Sequence, residues 1–548
     1  MGAKLVDLGS GPYVFKVHGQ IFHKTSHLKP RKGQAPEYAQ LYVVDSTQAT
    51  EFRVSHPANQ DCIPRLLDQL DKFLRQHNRL CATYHMLREV EARSIAEANA
   101  AGEGIPVVNM VFKRDRHSDQ RRYNVPNENE IAMVFVNNNG EPPFERDIRV
   151  YPFNPKNEDH TSININILSP NLDPMSYPLL FPFGEPGWQP NWSCEAYDGA
   201  QKNPKRVNIS MLQYKIALLA IREDFNPIIS AGKLSQQWIV DSYLQVEANN
   251  LNYIKTHQMQ LRRELYQGLQ DHLENEPENG CKPGISVVLP SSFEGSPRNM
   301  RERCDDAMSI FAKFGPPDLF ITFTANPRWP EIDENLQNGE QYSDRPDLVA
   351  RVFKLKLKSL MDDLTVHGVL GKCTAFVYSI EFQKRGLPHA HILIVLQTKD
   401  KFSNAQCIDR FVKAEIPSVN VNPRLREIVL RCMMHGPCGF ENLKAPCMED
   451  GKCKKMFPKD FQEETKLNVE GYPSYRRRPG TTAEVRGQVL DNRFVVPYNA
   501  FLILKYNAHI NVEVCTSLRA VKYIYKYIYK GSIVQTWFYP KEIPKMMK

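Results

Sequence analysis

The sequence predicts a multidomain α+β protein, built around a central antiparallel sheet that carries a metal site. Three observations lead there. The run Glu381-Phe-Gln-Lys-Arg-Gly-Leu-Pro-His389-Ala-His391-Ile-Leu-Ile-Val-Leu396 sets two histidines at the head of an apolar, strand-like stretch. The elements around it read strand, helix, strand, strand, an order that suits helices packed on an antiparallel sheet. Hydrophobic residues make up 42% of the chain and charged ones 24%, the ordinary balance of a globular protein.

Taken in order, residues 1–190 read as an accessory region of short strands with one helix. Its helix shows Ile63, Leu66, Leu67, Leu70, Phe73, Leu74 and Leu80 at the spacing of one amphipathic face. Short strands follow, among them Ile131-Ala-Met-Val-Phe-Val136, and a Pro-, Gly- and aromatic-rich stretch over 170–190 marks a boundary. Residues 191–284 are helical. Residues 285–400 form the first part of the central domain: a helix over 305–314, a buried strand over 318–324, a helix over 346–367, then a hairpin. Residues 401–490 form a Cys/His-rich insertion, and 491–548 return to the central domain. No internal repeat or low-complexity tract interrupts this order.

The 548 residues are long enough for three or four domains. A net charge of +8 permits a nucleic-acid partner without demanding one. No apolar run approaches the roughly 18 residues needed to span a bilayer, and the N-terminus shows no signal-peptide core. No membrane partner is expected. Twelve cysteines in such a chain point to reduced thiols and metal ligands, and to the nucleus or cytoplasm.

Residues i and i+2 of a strand share a face, so the imidazoles of His389 and His391 can converge on one ion. A turn through Lys384, Arg385, Gly386 and Pro388 would bring Glu381 back beside them. Two imidazoles and a carboxylate leave open positions for a phosphate and suit a hard or intermediate divalent ion. Taken alone, His-x-His also fits a hairpin with two surface histidines.

A second cluster runs Cys432-Met-Met-His435-Gly-Pro-Cys438, then Cys447 and Cys453. Thiolates with an imidazole are what a closed structural zinc site requires, although the spacing departs from a standard finger. The preferred ligands are His435, Cys438, Cys447 and Cys453, with Cys432 as the substitute. Such a site would staple a loop-rich insertion and take no part in catalysis.

A third pattern is Lys522-Tyr523-Ile-Tyr525-Lys526-Tyr527-Ile-Tyr529-Lys530-Gly531. Read as a helix, Val521, Ile524 and Ile528 form an apolar stripe opposite the lysines, and Tyr523 and Tyr527 lie four apart on one flank. A tyrosine is a poor nucleophile at its usual pKa of about 10, but neighbouring cations and a metal-bound phosphate ease that. The competing role for these tyrosines is a stacking or core cluster.

Together the three patterns resemble the HUH endonucleases, the nicking enzymes of rolling-circle replication and transposition, in their two-tyrosine form. The Rep region of Helitron transposons is the nearer likeness. It rests on Leu289-Pro-Ser-Ser-Phe-Glu-Gly-Ser-Pro-Arg298, Gly315-Pro-Pro-Asp-Leu-Phe-Ile-Thr-Phe-Thr-Ala-Asn-Pro327, Arg385-Gly-Leu-Pro-His-Ala-His391 and His435-Gly-Pro-Cys438, extended by Tyr123-Asn-Val-Pro and Tyr177-Pro-Leu-Leu-Phe-Pro-Phe-Gly184.

The resemblance implies that His389, His391 and Glu381 hold Mg²⁺ or Mn²⁺, with His509 and Glu513 as rivals to Glu381. It implies that Tyr523 and Tyr527 are alternating nucleophiles, assisted by Lys526, on single-stranded DNA at transposon ends in the nucleus. No Gly-x-x-x-x-Gly-Lys-Ser/Thr occurs, so a helicase would come from elsewhere, and the chain is expected to be a fragment or a truncated copy. A catalytically inactive, transposon-derived DNA-binding module is the alternative; a zinc-stabilised protein with no DNA role is a third reading. Arg476, Arg477 and Arg478 are read either as a DNA groove or as a solvated loop.

Overall fold

A computed structural model describes residues 44–81, 167–190, 208–257, 289–337, 339–383, 386–439, 445–467 and 472–515, with 100, 192, 442, 443 and short segments at 4–5, 17–18, 23–25, 35–36, 41–42, 108–111, 133–136, 163–165 and 534–535. Helices and antiparallel sheets make it an α+β protein. It forms two compact units, Met1–Gly9 with Phe15–Tyr253, and Ser10–Val14 with Ile254–Lys548.

In the first unit, helices α1 (Ser46–Ser55) and α2 (Pro64–His77) pack together around a buried carboxylate. Asp71 accepts from Ser46 Oγ at 2.6 Å, Arg53 Nη1 at 2.7 Å and Arg75 Nε at 2.6 Å. The expected strand at 131–136 is realised over Met133–Val136, paired with Val108–Val111. The long helical stretch resolves into α3 (Met211–Leu218) and α4 (Lys233–Thr256). The aromatic run beginning at Tyr177 is core: Tyr177, Leu180 and Phe181 close around the fully buried Trp238 of α4.

The second unit is organised by a five-stranded antiparallel sheet. Its strands are β1 (Leu319–Thr324), β2 (Cys373–Phe382), β3 (Pro388–Leu396), β4 (His509–Val514) and β5 (Val534–Gln535), in the spatial order β4-β1-β3-β2-β5. All neighbours are antiparallel. Strand β3 is central and buried along its whole length, as a run of Ile, Leu and Val with helices on both sides should be.

Alternation divides β3 between two cores. Ala390, Ile392 and Ile394 face α6 (Pro346–Thr365), whose Val352, Phe353, Leu357 and Leu360 fill the main core. Leu393 and Val395 point to the other face, where α5 (Pro297–Phe314) lays Met300, Cys304, Ala307 and Phe311 against them. Helix α5, read from the sequence over 305–314, begins earlier, with the Ser296 side chain accepting from Asn299 N and Pro297 in the first turn.

The insertion contains α7 (Ala405–Phe411) and α8 (Pro423–Cys432), and a hairpin pairing Thr482–Val485 with Gln488–Asp491. Arg486 and Gly487 at the hairpin tip both take positive φ, 54° and 78°, as a two-residue turn between twisted strands requires. Helix α9 (Ala500–Tyr506) then ends on Asn507 in the left-handed region and leads into β4.

Candidate metal centre

Register places the site. Glu381, His389, Thr324 and His509 lie side by side across β2, β3, β1 and β4. The next row on the same face is Ser379, His391, Thr322 and Asn511. The turn carrying Lys384 and Arg385, which lie outside the described residues, closes with Gly386 N donating to Gln383 O at 2.8 Å. Gly386 takes a φ of 78°, a conformation that favours glycine.

The two histidines are not surface residues. His389 is 8% exposed and His391 3%, with ring centroids 4.5 Å apart. Phe320 stacks on His391 at 5.9 Å, and Thr324 Oγ1 lies 2.7 Å from His389 Nδ1. Glu381, though paired in register with His389, reaches diagonally to put Oε1 3.2 Å from His391 Nε2. One ligand atom from each of Glu381, His389 and His391 lies within 4.8 Å of the others.

Burial, then the neighbouring His391, His509 and Lys455, depress His389 to a pKa of about 2. It is therefore neutral at working pH and free to ligate. Two imidazoles and one carboxylate at these distances fit an intermediate or hard divalent ion.

The rival ligands fall outside that group, although His509, which donates through Nδ1, keeps its Nε2 open. His509 Nδ1 lies 2.7 Å from the Cys432 carbonyl, to which it must donate. Glu513 lies beside Tyr475, with Arg477 and Lys459 near; burial raises its carboxyl to a pKa of about 7.

His435, Cys438, Cys447 and Cys453 also converge, with their ligand atoms within 4.8 Å of one another, a set that can hold a metal such as zinc. Cys432 stays outside this group. His435 Nε2 sits 3.5 Å from Cys453 Sγ, and its ring stacks on Phe457 at 4.2 Å. Burial pushes Cys438 up to about 12 and raises Cys447. Burial also acts on Cys453, yet the backbone N–H groups of Phe457 and Lys455 bring it below the usual thiol value. Burial and then Lys455, Lys459 and Arg486 lower His435 to about 4. Gly436 of this motif lies under the exposed Arg486 side chain, whose Nη1 would stand 2.8 Å from a Cβ built there.

With both clusters in view, a family can be compared. Residues 213–394 match the model of the Helitron helicase-like domain at the N-terminus. This chain carries a Helitron-like domain. The match covers about a third of the chain and includes Thr324, Glu381, His389 and His391, while the Cys/His cluster lies beyond it. No curated protein matches the chain. No described helix is long and apolar enough to cross a membrane. Tyr523, Lys526 and Tyr527 follow the Helitron-like domain and lie outside the described residues.

Of the arginine run, Arg477 is buried, whereas Arg478 is exposed and ion-paired. Arg477 is 3% exposed, its Nη1 donating to the carbonyls of Val495 at 2.6 Å, Asn492 at 2.7 Å and Ala414 at 3.3 Å. Arg478 forms a two-pronged pair with Glu415 at 2.9 Å, and Arg476 lies 3.4 Å from Asp409. These residues brace the insertion.

Sequence reasoning passed over Thr324 and Phe320, whose signal was a strand alternating Phe320, Thr322 and Thr324 toward one side. It also passed over Lys455 and Arg486, which no spacing rule singles out.

Proposed function

We propose that this protein nicks and rejoins single-stranded DNA, as the Rep portion of a Helitron-like transposase. The convergence of Glu381, His389 and His391 on one sheet face, inside the segment matching the Helitron-like domain, carries this reading. Those three residues would hold Mg²⁺ or Mn²⁺, which when bound polarises the scissile phosphate. Phe320 and Thr324 fix the two imidazoles, so the ligands need no reorganisation when substrate arrives.

In the proposed step, the hydroxyl oxygen of Tyr523 or Tyr527 bonds to phosphorus. The bond from phosphorus to the 3′ oxygen breaks, that oxygen leaves as a 3′-hydroxyl, and the phenol's proton passes to solvent. The protein is then joined to the 5′ phosphate. The second tyrosine can accept another strand by the same exchange, with Lys526 beside the phosphate. Zinc held by His435, Cys438, Cys447 and Cys453 would order the insertion. The partners in this reading are single-stranded transposon ends and a separately supplied helicase, acting in the nucleus.

The test uses labelled single-stranded oligonucleotides carrying transposon-end sequence, with Mn²⁺. Wild type should give a denaturant-stable covalent adduct that His391→Ala and the Tyr523→Phe/Tyr527→Phe pair both lose. Equal adduct from wild type and the paired variant would refute the reading and favour an inactive DNA-binding module.

A further inference from the structure

The sequence gives the Cys/His cluster a staple's role, but its surroundings point further. The cluster adjoins the metal triad. His509, in the same row as His389, donates to the carbonyl of Cys432, only three residues before the ligand His435. Loop 453–459 closes the cluster, and two cations lie next to it.

Lys455 is the first. Its backbone N–H is tied to Cys453, while its side chain is exposed and close enough to act on both His389 and His435. Arg486 is the second. Its guanidinium packs over Gly436 and lines a cleft of about 410 Å³ with His435, Asn442 and Gln488. Among the described residues neither cation has a hydrogen-bonding or ion-pair partner. Nearby Lys454 and Arg478 do, with Glu449 and Glu415, while Lys452 and Lys466 resemble Lys455 and Arg486 in this.

Formal charge sharpens the contrast. Zinc held by three thiolates and an imidazole carries one net negative charge, which one cation balances. A divalent ion held by Glu381 and two imidazoles is left with one net positive charge. Counting only the two loaded sets with Lys455 and Arg486, the sum is positive, and a phosphodiester is an anion that can balance it.

We propose that the Cys/His module is the DNA-positioning half of the nuclease site, with Lys455 binding the phosphate at the metal triad and Arg486 holding the adjoining nucleotide in the cleft. The assignment rests on the nicking reading above. Being exposed, Lys455 can be replaced without disturbing the core.

The experiment measures binding of a labelled single-stranded oligonucleotide without added Mn²⁺ across a salt series, alongside the Mn²⁺ adduct assay. Lys455→Ala and Arg486→Ala should each weaken binding roughly fivefold and lower the salt slope by about 0.7, the signature of one lost phosphate contact. Lys455→Arg should restore both. Lys399→Ala, at the far end of β3, should leave both unchanged, and zinc content should stay constant throughout.

If Lys455→Ala and Arg486→Ala bind with wild-type affinity and slope while wild type forms adduct, this proposal is overturned and the nicking reading stands. If binding falls in those variants but wild type forms no adduct, the phosphate contacts stand and the nicking reading fails. No salt-dependent binding by wild type would overturn both.

Discussion

Thr324 Oγ1 lies 2.7 Å from His389 Nδ1, across the β1–β3 pairing, and this contact settles which nitrogen can ligate. With Nδ1 engaged by the hydroxyl, Nε2 is left for an ion. Partners of this kind typically change metal affinity tenfold or more. Thr324→Val keeps the shape and removes the hydroxyl. It should weaken Mn²⁺ binding at least about tenfold by calorimetry, with little change in fold. Unchanged affinity would leave Thr324 as packing only.

Zinc content provides the second prediction. His435, Cys438, Cys447 and Cys453 close a four-ligand set, so purified protein should contain one zinc at this cluster. Cys447→Ser should lose that zinc, as measured by elemental analysis, and lower Tm. Cys432→Ser should keep it, because Cys432 stands outside the set. Retained zinc in Cys447→Ser would show that another ligand completes the site.

Glu513 makes stability depend on pH. Its carboxyl is raised by burial to about 7 in the folded chain, against 4.5 when unfolded. The contribution from holding the proton is complete below about pH 4.5 and disappears as pH rises through 7. Glu513→Gln mimics the protonated form at every pH. It should therefore match wild type near pH 4.5 and exceed it above pH 7, by on the order of 2–3 kcal/mol in denaturant titrations. A constant difference across that window would sink the assignment.

The arginine run separates by burial. Removing the Arg477 guanidinium would strand three carbonyls that it now serves, so Arg477→Ala should cost roughly 3–5 kcal/mol. Arg478 is exposed, and surface ion pairs contribute little; Arg478→Ala should cost less than about 1 kcal/mol. Neither change should alter the salt slope for single-stranded DNA beyond any loss of folded protein. A fall in slope for folded Arg478→Ala would return that residue to the DNA surface.

What the sequence determined by itself was whatever depends on short separations. Strand alternation put His389 and His391 on one face, and the turn before Pro388 returned Glu381 to them. The buried runs of β1 and β3 were legible for the same reason, since periodicity acts within a few residues, whereas the Ser296-Pro297 start of α5 was passed over. Cys and His density likewise announced a second ligand set.

Tertiary structure decided everything that turned on distant partners. It grouped Glu381 with His389 and His391, while β4, paired with β1, carries His509 beside Cys432 and Glu513 beside Tyr475. Arg477 became a buried brace because three carbonyls from 15 to 63 residues away converge on it. Lys455, an unremarked residue in a lysine-rich loop, came to lie near both His389 and His435. No local pattern encodes such a position, since it follows from how the insertion folds back onto the edge of the sheet.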